Sequence, residues 1–91
     1  MTEKQLQALL TLAESKEADG WHQLGERHLT LYAARGGVGL TVSRVEAIRS
    51  EGPLLHALTA RGETYVIQLD DVFAGSVEGQ SKQSRRAGFA Q

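Results

Sequence analysis

Ninety-one residues with no cysteine and a formal net charge of −1 describe one small domain held together by packing alone. Disulfide scaffolds, thiolate nucleophiles and Cys-type zinc sites are thereby excluded, and no global field recruits nucleic acid or an anionic membrane. Hydrophobic residues at 41% and charged residues at 23% place the chain in the ordinary globular range rather than the disordered one.

The N-terminal stretch MTEKQLQALLTLAESKEAD predicts an amphipathic helix over residues 3–17. Leu6, Leu9, Leu10 and Ala13 fall on one face at helical spacing, and Leu12 widens the stripe. Thr2 with Gln5 three residues on matches a capping box. Asp19-Gly20 reads as the helix stop, because glycine takes the left-handed conformation without a Cβ clash. The stretch lacks the small-residue cleavage site of a signal peptide, and no apolar run nears the ~20 residues of a membrane span. A cytoplasmic protein is expected. Alone in water so short a helix is marginal, so its apolar face must dock on the chain's own sheet or on a second copy.

Trp21 to Gly25 fits a short strand or a crossover, with Trp21 as a core plug between helix and sheet. Strands are expected over about 28–34, 38–49, 54–59 and 64–69. Leu29, Leu31 and Ala33 alternate with His28, Thr30 and Tyr32, as a half-buried strand requires. Arg35-Gly36-Gly37 supplies a tight hairpin turn. Leu40 and Val42 share a face, but Val45 and Ile48 are three apart, which strict alternation cannot bury together. A bulge or bend near Ser43-Arg44 or Ala47 resolves this, and such bends curl small sheets into barrels. Ser50-Glu51-Gly52-Pro53 and Ala60-Arg61-Gly62-Glu63 are turns. Tyr65, Ile67 and Leu69 share one face of the last strand. Asp70-Asp71 before Val72-Phe73-Ala74 reads as an N-cap, predicting a short helix over 71–77. Residues 80–91 read as a flexible basic tail: Lys82, Arg85 and Arg86 lie there, while all 11 acids lie in residues 1–79.

The expected fold is therefore α+β: an N-terminal amphipathic helix packed on a small, strongly bent antiparallel sheet, SH3-like or an open barrel. A short C-terminal helix and the tail complete it, with residues 1–79 as the single domain.

The chemistry is sparse. Ser43 and Ser50 have no histidine in a recognisable catalytic arrangement. Arg35-Gly36-Gly37-Val38-Gly39 lies between two strands and lacks the Lys-Ser/Thr of a phosphate loop. His22, His28 and His56, even with Asp70 and Asp71, match no metal-ligand spacing. The positions Val45, Ile48, Gly52, Thr59, Gly62 and Tyr65 resemble the first half of a LytTR-type DNA-binding domain. That resemblance implies a small nucleic-acid-binding regulator, but the later segment bearing that family's DNA contacts has no counterpart. The sheet cations also have acidic neighbours, except around Arg35, so nucleic acid is disfavoured.

The favoured expectation is a non-enzymatic interaction or regulatory module without a cofactor or membrane partner, its partner another protein or itself as a homodimer. Small DNA- or RNA-binding and small-ligand-binding domains are the alternatives. The candidate contact residues are Arg85, Arg86 and Phe89, where an aromatic anchor sits beside two guanidiniums. Leu6, Leu9 and Leu10 on the helix face, and the outward His28 and Tyr32, complete the set.

Overall fold

A computed structural model describes residues 1–79; the expected tail, with Arg85, Arg86 and Phe89, lies outside the described residues. One helix precedes seven strands. They are α1 (Glu3–Leu12), β1 (Lys16–Ala18), β2 (Trp21–Gln23), β3 (His28–Arg35), β4 (Val38–Glu51), β5 (Leu54–Thr59), β6 (Thr64–Gln68) and β7 (Val72–Glu78). Every pairing is antiparallel.

The helix starts as its capping box dictates, with Thr2 Oγ1 accepting from the Gln5 amide and Gln5 Oε1 accepting from the Thr2 amide. It ends five residues before the expected stop. Ser15 N–H donates to Leu10 O at 3.1 Å and Glu14 N–H to Thr11 O at 3.0 Å. This is a Schellman closure with Glu14 at φ 59°, the position glycine usually fills. The buried Arg27 completes the end, its Nη1 donating to Leu12 O at 2.6 Å. Asp19-Gly20 is instead a two-residue hairpin turn, both residues at positive φ, joining β1 to β2. Trp21 lies half-buried in β2 and outside the core cluster rather than plugging it.

The 14-residue β4 organises the sheet. Residues 45–51 pair with β5, and Ala47 and Ile48 also pair with β2. Those two partners must therefore take opposite edges. Residues 38–45 pair with β3, on the same edge as β2, because Val45 faces both Leu29 and Thr59. The bend expected near Ser43-Arg44 falls at Arg44, whose φ is 57°. The registers with β3 and β5 both shift beside it. Beyond the bend β5 carries β6 as an outer strand, and β3 carries β7.

The expected helix over 71–77 is a strand. Asp70 and Asp71 cap no helix but complete a single 3-10 turn (Leu69–Asp71), and the chain then runs along the free edge of β3 as β7. Pairing with β3 gives residues 72–78 ladder hydrogen bonds, whereas a two-turn helix leaves most of its terminal backbone groups without partners. Gly75 in β7 makes room for α1: a Cβ there would sit 2.6 Å from Leu9 Cδ1.

The core gathers Leu6, Leu10 and Ala13 of the helix with Leu29, Leu31, Val42, Val45, Ile48, Leu55 and Val72 of the sheet. Each such side chain contributes about 1.5–3 kcal/mol when fully buried. The helix face thus docks within the chain. The result is one helix on an open, mostly β, antiparallel sheet. Among the described residues no helix is long and apolar enough to cross a membrane.

Candidate functional site

Among the described residues the outer edges of β1 and β7 lack a neighbour, and so do two further edges that lie close to one another. Strand β6 pairs with β5 alone, and residues 38–44 of β4 pair with β3 alone. Two successive cavities lie between these edges, each lined by residues of both, and we take them together as one groove. At one end Thr41, Ser43 and Arg44 of β4 face Glu63 and Tyr65, with Thr59, Ala60 and Arg61 at the base, around a cavity of about 570 Å³. At the other end Val38 and Leu40 face Val66, Ile67 and Gln68, with Ala33, Ala34, Arg35 and Asp71 beside them, around about 330 Å³.

Both ends are tied. The Ala60 amide donates to Arg44 O at 2.9 Å, which fixes the β5–β6 hairpin to the bend. At the far end Arg35 leaves the β3–β4 turn, donating through Nε to Asp71 Oδ2 at 2.9 Å and through Nη2 to Gln68 Oε1 at 2.8 Å. The Gly36-Gly37 turn positions Arg35, both glycines having the positive φ of a tight hairpin. The groove is thus a slot, polar and cationic at the bend and apolar toward Arg35.

Its apolar half is solvent-facing to an unusual degree. Val38 is 71%, Leu40 41% and Val66 54% exposed. Exposed aliphatic side chains on two unpaired edges are the arrangement that natural sheets ordinarily avoid. At the bend, Arg44 and Arg61 make no salt bridge among the described residues, while Tyr65 Oη donates weakly to Glu63 Oε1 at 3.4 Å.

Those residues expected from sequence that fall among the described ones are placed elsewhere. Leu6 and Leu10 are buried in the chain's own core, at 2% and 3% exposure, and are spent inside the molecule. Leu9 is half-buried against Gly75. His28 and Tyr32 are half-buried on β3 and line neither end of the slot. Tyr32 instead meets Phe73, with ring centroids 6.4 Å apart. His22, His28 and His56 lie on three different strands, and among the described residues no three His, Cys, Asp or Glu side chains gather to hold a metal. His56 Nε2 lies 3.2 Å from Glu51 Oε1, without the geometry of a hydrogen bond.

The slot residues Val38, Leu40, Arg44, Arg61 and Val66 escaped the sequence reading as a group. The available signal was Val66, an aliphatic residue on the outward phase of TYVIQ. A second exposed apolar pair, Leu12 at 62% and Phe73 at 68%, flanks the helix beside Ala8 and Leu9. Compared with protein-family models, with curated proteins and with solved structures, the chain matches none.

Proposed function

We propose that this protein is a non-enzymatic interaction module that holds an extended segment of another protein in the slot between β4 and β6. A single observation carries this reading: two strands, each short of one neighbour, line one groove. A segment laid along either edge gains main-chain hydrogen bonds, and alternate side chains find the apolar half. In this reading the sheet is an open, SH3-like barrel, and the added segment is its missing stave. The described residues offer hydrogen-bonding edges and apolar surface there.

Selection of random eight-residue peptides on the full chain tests the reading. Bound peptides are expected to slow hydrogen exchange at amides of residues 38–44 and 64–68, and Leu40→Asp is expected to abolish binding while the core holds. Protection confined to other strands, or no enrichment at all, rejects it.

A further inference from the structure

Resting on that reading, the chemistry of the slot specifies its occupant. We infer that the segment it takes carries an acidic side chain at the bend, and an aliphatic or aromatic residue about four positions away. Two observations converge on this.

The first is charge. Arg44 and Arg61 stand at one end with Glu63 as the single acid among that end's lining residues, so the end is net cationic. Neither guanidinium makes an ion pair among the described residues, whereas Arg35 at the other end is committed to Asp71. A guanidinium pair with free donors matches a carboxylate. About four residues up the strand, some 13 Å at ~3.3 Å per residue, Leu40 and Val66 supply the apolar contact.

The second is backbone conformation. Arg44 holds φ 57° at the bend, a region costly for any residue with a Cβ. Glycine would satisfy the turn without strain, and a Cβ-bearing cation stands there instead. Glu14 and Asp19 hold the same conformation at a helix end and in a hairpin turn; of the three, Arg44 is the one that lines a cavity.

The chain's own residues 80–91 carry Lys82, Arg85 and Arg86 and no acidic side chain, so they do not supply the side-chain carboxylate this end takes. The same charge sign tells against self-insertion of that segment from a second copy.

The experiment is the same random eight-residue selection, read for composition and repeated on Arg44→Gly and Arg61→Ser. Selected peptides are expected to pair an acid with an aliphatic or aromatic residue three to five positions apart. Fluorescence anisotropy of one such peptide is expected to weaken about five- to tenfold on either variant, and to change little with its neutral amide analogue. Arg44→Gly relieves the backbone, so loss of binding with a melting temperature equal to or above that of the original chain is not misfolding.

Slot-binding peptides that are neutral or basic, or equal affinity on Arg44→Gly, overturn the acidic specificity and leave the extended-segment reading standing. No peptide at the slot overturns both. A single-stranded oligonucleotide that outcompetes the peptide at Arg44 and Arg61, or a dimer in sedimentation that Arg44→Gly dissolves, also overturns this inference.

Discussion

The two halves of β4 belong to one strand and keep different company. Residues 45–51 are flanked by β5 along their length and by β2 at Ala47 and Ile48; Val45, Ala47 and Ile48 are buried. Residues 38–44 have β3 alone, and Val38 and Leu40 face solvent. Both halves are rich in aliphatic residues, so composition does not separate them. What separates them is the turn at Arg44: three residues of one half are buried, while of the other only Val42 reaches the core and the rest borders the groove. The difference teaches that in so small a domain an exposed site is made by withholding a neighbour, with no cavity carved from the core.

Substitutions can break or sharpen that contrast. Ile48→Ala, in the enclosed half, is expected to lose about 2–5 kcal/mol in urea denaturation, whereas Leu40→Ala in the open half loses less than about 1 kcal/mol. Equal losses would mean that the first half is packed as tightly as the second. Arg27→Ala orphans Leu12 O at the end of the helix and is expected to lose about 1–3 kcal/mol, with helix signal fading first by circular dichroism. Gly75→Val presses on Leu9, and overpacking there is expected to cost about 1–3 kcal/mol, measured as a lower urea midpoint at constant slope. The smallest effect has the opposite sign. Arg44→Gly and Glu14→Gly each relieve a left-handed residue and are expected to raise stability by about 0.5–1 kcal/mol. A fall at Arg44→Gly would show that the guanidinium packs, and that the bend is not strained.

Much of the fold was legible because local signals and tertiary outcome agree. The capping box, the Gly36-Gly37 hairpin, the strand at 54–59 and the bend forced by Val45 and Ile48 are short-range chemistry. The failures come from residues doing what their type disfavours, or what another strand demands. Glu14 closes the helix in a conformation that sequence assigns to glycine, so local signals point to Asp19-Gly20 as the stop, where the chain instead forms a hairpin turn. Asp70 and Asp71 resemble a helix start, but the open edge of β3 recruits the residues after them. Alternation there is also obscured by a register shift between Tyr32 and Ala33 and by Gly75 yielding to Leu9. The slot was not legible at all. Which edges stay unpaired depends on how far β4 turns, and no local pattern encodes an angle.

The ties at the two ends of the slot carry a kinetic consequence. Arg35 bridges one end and the Ala60–Arg44 hydrogen bond closes the other, so a segment held as proposed would be laid in from the side rather than threaded lengthwise. It needs no free terminus, and an internal loop of a folded protein suffices. The price is a short footprint, bounded by the five residues of β6. So few ordered residues yield brief residence and fast exchange. Durable association then depends on the partner presenting several such segments, or on a second point of attachment that raises local concentration.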